Sequence, residues 1–320
     1  MSWTLALLLL GVALFVFRLY NKRTAGRCRC TARMDGKVVI VTGANTGIGR
    51  EAARDLAARG ARVILACRDL KKADAARDDI VASTGNPNVL IRAVDLLSLR
   101  SVRDFCAGVL RSEDRLDVLV NNAGVGGLPN ELTEDGLVMG MQANHFGPFL
   151  LTCLLVGLLK KTPGSRIVTV SSAAHPFGFF DVDNMNCEKS FNGFYLYCNS
   201  KLCNILMTLY LAEKLRGTGV TTNCLHPGAV KTDIFRHVPS ELLKSFVSAS
   251  VGLFFKDAHM GAQTIIHLAV SEEGARVTGK YFVDLQEQVP GGVRPGLAEE
   301  VWRRSEEYVK LAEDERPFRG

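Results

Sequence analysis

Residues 41–50 read VTGANTGIGR, and they decide the fold. KVVIVT (37–42) is a β-branched apolar run, Gly43, Gly47 and Gly49 follow within seven residues, and IGREAARDLAARG then repeats apolar residues at helical spacing. A strand, a glycine-rich turn and a helix N-terminus with free N–H groups make a site for a pyrophosphate. On this reading Gly43 makes the tight turn, Gly47 allows close approach of the backbone, and Gly49 allows close packing of the helix. Asn45, Thr46 and Ile48 complete the turn. The G-x-x-x-G-x-G spacing is a variant of the G-x-G-x-x-G fingerprint. The alternative is that these glycines only turn the chain.

Outward from that turn, the pattern repeats. ARVILAC (61–67), NVLIRAV (88–94), LDVLVN (116–121), SRIVTVSS (165–172) and VTTNCLH (220–226) are apolar on both faces, as parallel strands covered by helices are. Amphipathic helical stretches such as LRSVRDFCAGVLRSE separate them; Gly60 marks one helix end and Ser98 caps another. Six β-α repeats without a linker predict one α/β, doubly wound Rossmann-type domain with a parallel sheet over residues 36–320. The second strand ends at Cys67-Arg68, where an acid would bind the adenosine ribose hydroxyls and favour NAD. Cys67 carries no carboxylate and Arg68 can meet a 2′-phosphate, so NADP(H) is expected over NAD(H). A solvated surface Arg68 is the plainer alternative.

The ends differ from the body. Residues 2–17, SWTLALLLLGVALFVF, carry no charge, and with Leu19 and Tyr20 they barely reach the length of a bilayer span. Basic residues follow the run and no cleavage site is evident, which predicts an uncleaved membrane anchor over 1–20 with a basic linker at 21–35. The positive-inside rule puts the remainder on the cytosolic side. A cleaved or merely membrane-associated segment is the alternative. Arg18, Lys22, Arg23, Arg27, Arg29 and Arg33 account for the whole net charge of +6; without them 33 basic residues balance 33 acidic ones. A neutral body calls for no nucleic-acid partner. Nine scattered cysteines without a Cys-x-x-Cys pair suit reduced thiols facing a cytosol. Cys28 and Cys30, beside the apolar run, are candidates for palmitoylation.

Residues 194–201, FYLYCNSK, offer a proton donor. On a helix, Tyr197 and Lys201 stand at i and i+4 and face the same way, whereas Tyr195 points elsewhere. A bare Tyr-x-x-x-Lys arises often by chance. Here it joins TGANTGIG at 42–49, VDL at 94–96, NNAG at 121–124, Ser172 and HPG at 226–228, in that order. Over residues 36–285 this set resembles the short-chain dehydrogenase/reductase family. ANHFGPFLLT (143–152), VSSAAH (170–175) and GFYLYCNSKLCN (193–204) resemble its retinol dehydrogenase branch.

The resemblance implies roles. Tyr197 would exchange a proton with the substrate oxygen, and Lys201 would favour the phenolate and bind the nicotinamide ribose. Ser172 would hold the substrate oxygen; the family's spacing to the tyrosine selects it over Ser171, which strand alternation turns the other way. Asn144 would serve the proton relay. Asp95, with Leu96 beside it, would bind the adenine, and Asn121, Asn122, Ala123 and Gly124 would let the cofactor lie on the backbone. Pro227 and Gly228 would face the nicotinamide, and Thr232 would bind its amide or the pyrophosphate. His145, His175 and His226 lack metal-ligand spacing and read as structural.

The segment 231–264 carries Phe235, Leu242, Phe246, Phe254 and Phe255 among other apolar residues and reads as a lid over a bulky apolar substrate. Completing the core is its plainer alternative. With the anchor, the lid implies a lipophilic partner such as retinal or retinol, on a membrane expected to be the endoplasmic reticulum, and the choice of NADP(H), kept largely reduced in a cytosol, gives reduction as the direction. A mitochondrial membrane, steroid ketones or lipid-derived aldehydes as substrates, a homo-oligomer, and a non-catalytic cofactor-binding scaffold all stay open.

Overall fold

A computed structural model describes residues 26–228, 230 and 256–318. The N-terminal apolar run, Thr232 and most of the expected lid lie outside them.

All six predicted strands form, as β1 (Val38–Thr42), β2 (Arg62–Cys67), β3 (Val89–Ala93), β4 (Val118–Asn121), β5 (Arg166–Val170) and β6 (Thr221–His226). They pair in parallel in the order β3-β2-β1-β4-β5-β6. Alternation along each strand feeds two cores. Val38, Ile40, Ile64 and Leu119 pack on one face, and Val39, Val41, Val63, Leu65, Val118 and Val120 on the other. A sheet covered on both faces explains the continuous apolar runs in the sequence.

Beyond β6 the sheet departs from a purely parallel one. β7 (Tyr281–Val283) continues in parallel, and β8 (Gln286–Gln288) turns back antiparallel, closing an eight-stranded sheet. Asp284 and Leu285 make the turn at φ 51° and 68°. An antiparallel edge strand on a parallel sheet is common in large α/β folds.

Local signals explain the helices. Gly60 follows the first helix, α1 (Gly47–Ala58), at φ 94°. Ser98 Oγ accepts from Ser101 N at 3.3 Å to open the helix Leu99–Ser112. Asn192 Oδ1 accepts from Phe194 N and Tyr195 N to open the helix Gly193–Lys214. Among the described residues one helix, Met139–Lys161, is long and apolar enough to cross a membrane, yet 89% of its apolar window is buried inside the protein. It is a core helix, interrupted by a π turn at Gln142–Phe146.

Two expectations change here. Gly261–Thr264, the end of the expected lid, are buried within the helix Ala258–Val270, where Gly261 packs against Val230 and Ile48; these four residues complete the core. Cys28 and Cys30 turn inward against the second core, with Cys30 Sγ 3.7 Å from Val270 O. That packing leaves both thiols only partly exposed.

Candidate active site

Strand order reverses between β1 and β4, the crevice where open α/β sheets bind ligands. Thr42, the last residue of β1, ties it together: its Oγ1 accepts from Asn122 N at 2.9 Å and Ala123 N at 3.0 Å, and Asn122 Nδ2 donates to Thr42 O at 2.7 Å. A cavity of about 820 Å³ opens over this crevice. Its wall holds Gly43 to Gly49 except Ala44, then Arg68, Asp95, Leu96, Asn122 to Gly124, Ser172, Tyr197, Lys201, Pro227 and Gly228.

The glycine turn is shaped to take a ligand backbone-first. Gly47 stands at φ 58°, a left-handed conformation that other residues resist. At Gly49 there is no room for a side chain: an added Cβ would stand 2.3 Å from Asn122 Nδ2 and 2.7 Å from Gly43 O. Thr46 caps α1 without a side-chain hydrogen bond, and the first helical turn contains no acid. This helix N-terminus, with its free N–H groups, lies on the cavity wall, where an anion would be favoured. Gly49→Ala is therefore expected to displace Asn122 and the turn together, costing about 1–3 kcal/mol as overpacking does. Dinucleotide binding should be lost before the fold is; calorimetric titration beside thermal melting separates the two.

Arg68 lies on the cavity wall just beyond β2 with its side chain 58% exposed and, among the described residues, a loose 3.8 Å contact to Asp95 Oδ1. Lys72, from the first turn of the helix Leu70–Thr84, lines the same wall. Two cations with slack pairing suit a phosphate. Lys72 was not singled out by the sequence reading; its place four residues after Arg68, at a helix start, is the signal that could have found it.

At the other end Tyr197 and Lys201 share one face of the helix Gly193–Lys214, with Lys201 Nζ 5.8 Å from the centre of the Tyr197 ring. Lys201 is buried, and among the described residues its one hydrogen bond is long, 3.4 Å to Val170 O. Its remaining N–H groups are left for a ligand. Burial pushes the ammonium down to about 8. Burial likewise raises the Tyr197 phenol, against which a hydrogen bond with Ser172 acts. Burial is thus the larger influence on the tyrosine in this state, and the lysine does not offset it.

The two serines separate as alternation requires. Ser171 is buried and its Oγ donates to Lys201 O at 2.8 Å. Ser172 Oγ accepts from Ala174 N at 3.2 Å, which leaves its hydrogen for the cavity. His175 braces this turn: both its backbone N and its ring Nδ1 contact Ser172 O, at 3.2 and 2.8 Å. His145 is held inside the core between Asn204 and Ser305. His226 lines the cavity, and burial with nearby Lys256 lowers it to about 4.

Two expected site residues stand behind the wall. Asn121 ends β4 with its side chain turned into the core, Nδ2 donating to Thr152 Oγ1 at 2.8 Å, so it does not face the cavity. Asn144, in the π turn, grips both polar groups of Val125 and donates to Ser200 Oγ at 3.1 Å. Its Oδ1 would lie 3.5 Å from a Cβ at Gly124, where the same atom would meet Lys201 Nζ at 2.9 Å. Asn144 therefore reaches the site through the Gly124–Val125 backbone. Phe177 and Phe194 line the cavity unforeseen; aromatic residues in a loop and at a helix start carry no periodic signal.

Comparison with known proteins agrees with this geometry. A family model described as short chain dehydrogenase matches residues 37–242. Human retinol dehydrogenase 13 is 44% identical over 295 residues, covering 90% of this chain and 89% of the relative. Human retinol dehydrogenase 12 is 44% identical over 288 residues, covering 89% and 90%. Among solved structures, an uncharacterized protein from Mycobacterium paratuberculosis superposes with a TM-score of 0.69 at 30% identity, over 87% of this chain and 95% of that one. The RhlG/NADP active-site complex of Pseudomonas aeruginosa gives 0.62 at 25% identity, over 80% and 97%.

Proposed function

Because the chain belongs to the short chain dehydrogenase family, whose oxidoreductases use a nicotinamide cofactor, we propose that it interconverts a lipophilic aldehyde and its alcohol with NADP(H), retinal and retinol first among them. The observation that carries this reading is the convergence of Ser172, Tyr197 and Lys201 with the glycine turn and Arg68 on one cavity. The bound cofactor supplies the hydride. In reduction Ser172 holds the carbonyl oxygen and Tyr197 passes it a proton, leaving a phenolate beside the Lys201 ammonium. A phenol held above its usual range is protonated at neutral pH and ready to donate. Lys201 also binds the ribose hydroxyls, and Asn144 holds the backbone at Gly124 against which the lysine packs. Asp95, Leu96, Pro227 and Gly228 line the adenine and nicotinamide ends, and Thr232 is assigned to the latter.

The names of the relatives support the apolar substrate, and Leu128, Phe177 and Phe194 in the wall suit one. Residues 2–17 supply the anchor, on the endoplasmic reticulum with the catalytic domain toward the cytosol. The test is steady-state reduction of all-trans-retinal by detergent-solubilised protein with NADPH and NADH in parallel, for wild type and Arg68→Ala. NADPH should be preferred, and Arg68→Ala should cost about 10- to 100-fold in kcat/KM for NADPH, as loss of a charge-assisted phosphate contact does, with NADH use unchanged. Preference for NADH in the wild type overturns the Arg68 assignment. Silence on retinal with turnover of steroid ketones overturns the substrate.

A further inference from the structure

Three large apolar side chains stand exposed in the segments that border the cavity: Phe177 (65% exposed), Phe179 (76%) and Phe194 (58%). Phe177 and Phe194 also line it. Phe179 meets Tyr195 edge-on at 4.9 Å, and Tyr195 lies 5.8 Å from Phe194, so these three rings form one strip. Clustered apolar surface at a binding cavity marks contact with an apolar partner, unlike scattered exposed residues. All three side chains come from the segment after β5 or from the start of the helix Gly193–Lys214, at the carboxyl edge of the parallel strands.

The N-terminal part of the chain arrives at that same edge. A Cβ added at Gly26 would stand 2.5 Å from Asp284 O, and Asp284 directly follows β7 at its carboxyl end. β7 lies two strands from β5, or roughly 10 Å at the usual strand spacing. From Tyr20, which closes the apolar stretch, to Gly26 the chain reaches roughly 20 Å at most. Arg27 and Arg29 point outward while Cys28 and Cys30 point in. The carboxylates nearest Phe179 in sequence are neutralised, Asp181 by Lys189 and Asp183 by Lys189 and Arg304.

We propose that the carboxyl edge of the sheet docks against the bilayer, with Phe177, Phe179 and Phe194 at headgroup level, so that substrate passes from lipid into the cavity without crossing water. The inference rests on residues 2–17 being the membrane anchor, which holds this edge within reach of the lipid. Aromatic rings favour the interface, and exposed arginines favour anionic headgroups.

The test uses the full chain in vesicles of phosphatidylcholine and phosphatidylserine carrying brominated acyl chains, which quench tryptophan. Trp3 reports the anchor, and Trp302, buried in the core, serves as an internal standard. Phe179→Trp should lose most of its added emission to the brominated lipid. Leu110→Trp, exposed near the opposite edge on the helix Leu99–Ser112, should keep its own. Phe179→Glu should raise KM several-fold for retinal delivered in vesicles and leave turnover of a short water-soluble aldehyde unchanged, which separates docking from catalysis. Quenching of Trp3 without quenching at position 179 overturns the docking and keeps the anchor. Quenching at neither overturns both. A blue shift at position 179 that grows with protein concentration in the absence of vesicles assigns the strip to a second copy of the chain and overturns the lipid partner.

Discussion

Tyr197→Phe is expected to lower kcat for aldehyde reduction by about 10²- to 10⁴-fold, the usual worth of a positioned general acid. Stability and NADPH binding should be largely kept. The phenylalanine ring fills the same half-buried space in the helix Gly193–Lys214, and the phenol oxygen's protein partner is Ser172, itself already engaged by Ala174 N. Removing that oxygen therefore strands no buried backbone group. Rapid-quench measurement of a single turnover with NADPH already bound isolates the chemical step. A variant that keeps more than a tenth of wild-type activity would place the donor elsewhere. Tyr195 would be a poor replacement: it stacks edge-on against Phe179 and lines a separate small cavity with Met185 and Asn199. Ser172→Ala should be milder, because the serine orients an oxygen whose proton comes from the tyrosine.

Why the candidate donor could be picked from sequence, and other parts of the cavity wall could not, follows from where each residue sits. Tyr197 and Lys201 lie on one long helix, so spacing alone puts them together. Alternation turns Ser171 and Ser172 to opposite sides, and the family's spacing to the tyrosine picks Ser172; Ser171 bonds the back of the same helix at Lys201 O. Arg68 was legible because it stands one residue beyond a strand end. Asn121 shows the limit of that logic. It too ends a strand, but alternation turns its side chain to Thr152 instead of the cavity. The parallel core was plain in its buried apolar runs. The edge was not: β7 spans three residues, and β8 is Gln286–Gln288, polar and exposed, held by backbone pairing around a left-handed turn. Phe177 and His175 belong to a non-periodic stretch whose course is set by contacts such as the clamp of His175 on Ser172 O, and Phe194 stands in the first helical turn after it.

Lys201→Met should abolish reduction and yet make the cofactor-free protein more stable. Among the described residues the buried ammonium makes a single long bond, to Val170 O, an acceptor that Asn204 Nδ2 also reaches at 3.4 Å. Methionine keeps the aliphatic stem and leaves that carbonyl its second partner. Burial lowers the lysine from 10.5 to about 8, an upper bound of roughly 3 kcal/mol against the charged form at neutral pH. The sign follows from proton counts. Between pH 8 and 10.5 the unfolded chain holds this proton and the folded chain has released it, so the group's contribution makes stability rise with pH across that window. Below pH 8 the penalty is fully present. Lys201→Met should therefore melt several degrees above wild type at pH 7, with the gap narrowing toward pH 10.5. Activity tracks the same proton in the opposite sense: wild-type kcat/KM for reduction should fall as pH rises past about 8, as the phenolate left on Tyr197 loses its counter-charge. A variant that is inactive and less stable at pH 7 would mean that the ammonium is satisfied within the protein and the site is built around the lysine's own bonds. An inactive variant that melts higher would mean that the fold tolerates a costly buried charge, one whose unmet hydrogen bonds are completed by the ligand.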